Sequence, residues 1–245
     1  RRCENLARAS SVGPAIRAAE RAIAAFPTSL LARNCLVRIL ATQPGLQDSV
    51  LRVAAYLIAR DSLNIIAHTM RARALVGANA VTAWQRVVYL KPDSVELGLE
   101  AVETFLRLGR PETALQALDT LVVHNPREGF FQRQRFRALH TLTRWDEATA
   151  LGDSLERHDP FFGADPNFAV RYVEALKMHG DTVRAIAKSA RSVIEHPTDG
   201  RLYVQYVDLI AGESTVALTR GLARFPSFAP LRVLAAQQAR AGGDR

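Results

Sequence analysis

The residues best suited to chemistry lie in one segment, Arg127 to Trp145, REGFFQRQRFRALHTLTRW, whose first eleven residues hold four arginines and three phenylalanines. Guanidinium groups grip carboxylates and phosphates through a planar fork of donors, and aromatic faces beside them add apolar area. On a helix, Phe130, Arg133, Arg137, His140 and Arg144 recur at three- and four-residue steps and share one stripe. The chemistry on offer there is recognition of an anionic group.

Other chemistries find little support. The chain has no Walker loop, GxGxxG, HExxH, GxSxG or EF-hand loop, so an enzyme is not expected and no cofactor is implied. Of the six histidines, His124, His158 and His196 stand just before prolines at the ends of helical patterns. There an imidazolium interacts favourably with a helix C-terminus, by about 0.3–1 kcal/mol, and no second ligand stands at metal spacing. No metal site is expected. Cys3 and Cys35 are the two cysteines, too few for a disulfide framework and without zinc spacing. Free or semi-buried thiols are favoured over a mutual bond, which requires Cα atoms within about 7 Å.

Composition bounds the class. The chain of 245 residues is 48% hydrophobic and 23% charged, enough to bury an ordered core. A net charge of +8 makes anionic partners worth weighing. The basic residues are nearly all arginine and are scattered, which favours a solvated basic surface over a nucleic-acid footprint. No apolar run of about 18 residues is present, so membrane insertion is not expected. The sequence opens Arg-Arg-Cys without methionine, which fits removal of a leader or a piece of a longer protein. A soluble chain, cytoplasmic or exported, is compatible with both.

The elements that must position the stripe are marked by punctuation. Prolines closing helical patterns occur at Pro27, Pro92, Pro126, Pro160, Pro197 and Pro226, and the steps Pro92–Pro126 and Pro126–Pro160 are each 34 residues. Pro27 to Pro92 is 65, about two units, and the later intervals are 37 and 29. Short polar residues follow most of them, as in Pro27-Thr28, Pro92-Asp93, Pro166-Asn167, Pro197-Thr198 and Pro226-Ser227, and are expected to cap the next helix. Asp93 and Glu96 have capping-box spacing. Between prolines, Gly45, Gly77, Gly109, Gly180 and Gly212 are placed to close a helix in the left-handed conformation and reverse the chain. Each unit is therefore two antiparallel helices, with Ile16, Ala19 and Ile23, or Ala114, Leu118 and Leu121, or Val170, Val173 and Leu176, on an apolar face. No window alternates like a strand, so the fold class is all-α. One hairpin has a single apolar face, and only the next hairpin can cover it, so the interface residues must repeat.

With this 34-residue helix–turn–helix period, the chain resembles the tetratricopeptide repeat family. The segment GRPETAL from Gly109 to Leu115, with Pro126 closing the unit, is similar to the family's second helix, Ala114 being the small residue and Leu118 the bulkier one. The small residue recurs at Ala15, Ala80, Ala148 and Ala185; Trp145 matches the preceding aromatic and Trp84 the large residue. The family's first-helix Trp and Leu-Gly pair are missing, and His68, Val102, Phe136 and Val173 stand where a small glycine is expected. The resemblance implies an α-solenoid of about seven antiparallel helix pairs wound as a right-handed superhelix. It is expected over residues 1–240 as one array, with a bend at 159–166 and a disordered tail at 241–245.

The resemblance further implies that first helices line a concave groove for extended peptides or helices. The matching positions are Glu96, Leu99, Glu103 and Leu106, then Phe130, Arg133, Arg137 and His140, then Asn167, Val170, Glu174 and Lys177. Arg137 lies at a position equivalent to Glu103 and Glu174 and could join an ion-pair ladder of small energetic worth. The equivalents of Arg133 are Leu99 and Val170, which cannot pair with it, so Arg133 is the stronger candidate for a ligand carboxylate or phosphate. At the family's C-terminal carboxylate clamp this chain has Ile65, Thr69 and Leu99, so tail recognition of that kind is not implied.

The segment HDPFFGADPN, His158 to Asn167, inserts extra residues; Phe161 and Phe162 are expected to plug a gap between repeats, with an exposed aromatic contact or hinge as the alternative. The helix at Ser227–Arg240 reads as a polar-backed terminal cap. The expected function is a non-enzymatic scaffold binding a protein or peptide in the groove. The alternatives are a subunit that self-associates or packs into a larger assembly, and nucleic-acid binding through the basic surface.

Overall fold

A computed structural model of the chain describes residues 12–210 and 214–243. Among the described residues every regular element is a helix: α1 Val12–Ala25, α2 Leu30–Leu40, α3 Gln47–Arg60, α4 Ile65–Ala74, α5 Gly77–Leu90, α6 Val95–Arg107, α7 Pro111–His124, α8 Gly129–Thr141, α9 Trp145–His158, α10 Pro160–Ala164, α11 Pro166–His179, α12 Thr182–Glu195, α13 Gly200–Leu209, α14 Ser214–Arg224 and α15 Ala229–Gly243. Setting aside the short α10, they form the pairs α2/α3, α4/α5, α6/α7, α8/α9, α11/α12 and α13/α14, led by α1 and closed by α15. The all-α solenoid class is thus the observed one. Among the described residues no helix is long and apolar enough to cross a membrane.

The chain divides into two compact units, residues 1–131 and 132–245, with the boundary inside α8. In the first unit each helix packs on the next, and α2 also touches α4 while α5 touches α7, so first helices and second helices form separate layers. The second unit repeats the scheme with α11 against α13 and α13 against α15, and α10 is inserted against α9 and α11.

The repeat spacing places its small residues where they are needed. Ala15, Ala80, Ala114, Ala148 and Ala185 are all buried, as are Leu118 and Trp84. Removing a side chain of that larger size from water contributes roughly 1.5–3 kcal/mol. His68, Val102, Phe136 and Val173 are buried too, so the close approach expected of a glycine is made elsewhere. It is made at Gly98 and Gly152: a Cβ added to Gly98 would lie 2.7 Å from Leu121, and one on Gly152 would lie 2.6 Å from the Tyr172 ring. Bulk has moved to one partner and its absence to the other.

The turns follow the glycine reading at Gly45, Gly77, Gly109 and Gly180, all with positive φ; Gly212 lies outside the described residues. The α8–α9 turn puts Thr143 at the equivalent place with φ 56°, a conformation that its β-branched side chain disfavours. The caps differ from expectation by one residue at three junctions and by two at the fourth. The N-caps are Ser29, Ser94, Asp165 and Asp199, with side-chain oxygens accepting from Ala32, Leu97, Asn167 and Arg201 N–H, in place of Thr28, Asp93, Asn167 and Thr198. At three of these junctions, those after Pro27, Pro92 and Pro197, a tight turn consumes one more residue first, its N–H bonding back as in Ser29 to Phe26. At the fourth, Pro166 is itself the first helical residue, so the cap precedes it. Asp93 is left to pair with Lys91 at 2.7 Å, and the Asp93–Glu96 capping box is absent. At the C-terminal end α15 continues to Gly243, past Arg240, after which a tail was expected. Cys35 is held in a disulfide, correcting the free-thiol expectation; Cys3 lies outside the described residues.

Candidate functional site

The proposed stripe divides with the units. In the first, Leu99 is half-buried and Glu103 exposed on α6, and Phe130, half-buried at the start of α8, meets Phe131 edge-on with centroids 6.3 Å apart. The remaining residues, Arg133, Arg137 and His140 on α8 and Val170 and Glu174 on α11, belong to the second unit.

Arg133 is not available as expected. Its Nη1 donates to Asp159 Oδ2 at 2.6 Å, both side chains being largely buried, and its guanidinium lies 5.6 Å from the Phe161 ring centroid. Asp159 also accepts from the Phe161 N–H, capping α10. Arg133 therefore clamps the inserted helix. Register arithmetic compared it only with Leu99 and Val170, whereas the carboxylate comes from the residues that break the register.

Glu174 is likewise spoken for. It accepts from His140 Nε2 at 3.0 Å instead of pairing with Arg137. His140 stands edge-on to Trp145, with centroids 5.3 Å apart. Burial holds its pKa below the ordinary histidine range, a tendency that Glu174 opposes and Arg171 reinforces. The Val170 carbonyl accepts from Gln205 Nε2 at 2.8 Å, tying α11 to α13.

What remains is a cationic group that register reasoning overlooked. Arg171, half-buried on α11, has no carboxylate within ion-pairing distance among the described residues, and neither does the exposed Arg137. Burial comes first, and then the positive charge of Arg137, with a contribution from Arg201, in holding the Arg171 guanidinium below its ordinary pKa; Asp165 and Glu174 pull the other way. Both of those carboxylates are engaged, Asp165 as the cap of α11 and Glu174 with His140. Arg201 is itself paired with Asp199 at 2.5 Å and donates to Asn167 Oδ1 at 3.0 Å. Arg171 follows Val170 on α11 and lies four residues after Asn167, one step off the stripe of Val170 and Glu174.

The insertion resolves into a plug and an exposed ring. Phe162 is buried among Phe136, Phe168 and Tyr172, with centroids at 5.0, 5.3 and 5.9 Å, whereas Phe161 is 68% exposed. Beside this cluster Tyr172 Oη hydrogen-bonds Asp153, which also pairs with Arg184; burial and then Asp153 push the tyrosine pKa up. The helix-end histidines behave as expected at two places, His124 and His158 bonding the carbonyls of Thr120 and Ser154, whereas His196 reaches the Gly163 carbonyl of the insertion. Among the described residues no three His, Cys, Asp or Glu side chains group closely enough to hold a metal ion.

No protein-family model and no curated protein matches the sequence. Solved structures do. A chain in the structure of Naa15/Naa10 bound to HypK-THB is similar at TM-score 0.72 and 14% identity over 94% of this chain, which spans about a third, 36%, of that one. A tetratricopeptide repeat protein from Parabacteroides merdae matches at TM-score 0.52 and 15% identity, covering 95% of this chain and 94% of the other. MamA from Desulfovibrio magneticus matches at 0.53 and 12%, covering 76% and 99%. At such identities the likeness concerns fold, and it agrees with the repeat read from the sequence: the chain has a tetratricopeptide-repeat-like helical-repeat fold.

Proposed function

We propose that this chain is a non-enzymatic scaffold that binds an acidic protein segment against the first-helix face of its second unit, with Arg137 and Arg171 contacting the acidic group. The observation that carries the reading is Arg171. A half-buried guanidinium without a counter-ion loses hydration and gains no ion pair, and a partner's carboxylate fitted bidentately would supply one. Val170 and the aliphatic stems of the arginines offer apolar contact beside the charge. Arg133, His140 and Glu174 act here as positioning residues, the first fixing the insertion to α8 and the other two joining α8 to α11. Helical repeats present such extended faces, and the similarity to a chain solved within a multi-protein complex is consistent with a partner-binding role.

The test compares proteins recovered from cell extract by the immobilised wild-type chain and by an Arg137→Glu/Arg171→Glu double variant of unchanged helical circular dichroism. Proteins held by the wild type and lost by the variant support the reading; an identical set from both overturns it. Arg133→Glu is unsuitable, since it would oppose Asp159 and release the insertion.

A further inference from the structure

A second recess lies away from the arginines of α8 and α11. Between Pro197 and Pro226 the repeat shortens to 29 residues, and α13 and α14 have 10 and 11 residues where α12 has 14. Within the second unit α12, α13 and α14 bound a groove of about 480 Å³, within the range of about 300–1,000 Å³ typical of ligand sites. Tyr203 and Tyr206 of α13 and Ile210, the residue that caps its C-terminus, line it together with Val193 of α12 and Ala217 of α14. Ile194 and Val216, on opposite walls, are 78% and 62% exposed. Large aliphatic side chains left in water beside tyrosines compose a surface of the kind that binds a partner's apolar anchor.

The charged groups lining this groove are Arg220 and Arg224, one turn apart on α14, and among the described residues neither is paired with a carboxylate. We infer that the groove docks an acidic amphipathic helix of a partner protein, its aliphatic residues entering between α12 and α14 and carboxylates spaced four residues apart meeting Arg220 and Arg224. Charge complementarity selects that occupant. A second copy of this chain carries +8, and an isologous pairing through this face would bring the arginine pairs of the two copies near each other. A nucleic-acid backbone would satisfy the arginines and leave the apolar recess unfilled.

The probe is a fluorescent peptide of about sixteen residues, with leucines at helical spacing and glutamates at i and i+4 beside them, titrated with the full chain by anisotropy. The expected result is saturable binding at about 1–100 µM, at least about tenfold weaker when lysines replace the glutamates, and similarly weakened by Arg220→Glu/Arg224→Glu and by Ile194→Glu. Arg137→Glu/Arg171→Glu should weaken it several-fold less than the groove substitutions do, which separates this groove from the first-helix face. Equal affinity for the two peptides, or binding indifferent to the three groove substitutions, overturns the inference. So does self-association in sedimentation equilibrium that Ile194→Glu abolishes, since a second copy would then be the occupant.

Discussion

Replacing Phe162 by alanine should damage the second unit far more than replacing its neighbour Phe161, although both belong to the same short insertion. Phe162 is 2% exposed and lies within 6 Å, centroid to centroid, of Phe136, Phe168 and Tyr172. A buried Phe→Ala change costs about 3–5 kcal/mol through lost transfer energy and the cavity left behind, and the three edge or tilted ring contacts place it near the middle of that range or above. Phe161 is 68% exposed, and its main partner is the guanidinium of Arg133, a contact worth about 0.5–1 kcal/mol at such a site. The difference is about 3 kcal/mol, or about a hundredfold in a local opening equilibrium. Because stability in a helical array is carried by neighbouring repeats, a single global midpoint would blur the effect. The assay is hydrogen exchange by mass spectrometry on peptides from residues 132–141 and from α11. Protection there should drop about a hundredfold further in Phe162→Ala than in Phe161→Ala. Equal losses in the two variants would refute the assignment of Phe162 as the plug.

Three further outcomes follow from particular contacts. Gly152→Ala should lower stability by about 1–3 kcal/mol, because its Cβ would sit 2.6 Å from Tyr172, whereas Gly163→Ala, with open space around it, should be neutral or gain about 0.5 kcal/mol; thermal unfolding of both variants checks this. Thr143→Gly should stabilise by about 1 kcal/mol, by relieving a left-handed conformation that the equivalent turns assign to glycine, and should raise the midpoint in urea. His140 is held below its ordinary pKa chiefly by burial, so as pH falls below about 6.5 the unfolded chain takes up a proton before the folded one does, and stability drops in that window. His140→Gln should flatten that part of the pH–stability curve, even with Glu174 and Arg171 facing the ring; an unchanged slope would show that other groups set it.

Much of the fold was legible because repeats are a local code. Glycine and proline punctuation, helical spacing and the alanines at Ala15, Ala80, Ala114, Ala148 and Ala185 act through a hairpin and its neighbour, so their consequences stay within a few tens of residues in sequence. The candidate site was harder. The arginine-rich segment drew attention to α8, but the reading assumed that equivalent positions meet in order. The insertion broke that order, so Arg133 found Asp159 and Glu174 went to His140, leaving Arg171 as the cation to explain.

The amino-acid sequence by itself determined that the chain is helical, that its helices pair at a 34-residue period, and which small residues would be buried, since these depend on backbone preference and on repeating interface residues. Only the tertiary structure decided which charged groups are consumed internally, which glycines admit a neighbouring ring, and where a shortened hairpin leaves tyrosines, aliphatics and two arginines around a groove. Those outcomes turn on ångström distances between side chains from different helices, and spacing along the chain does not specify them.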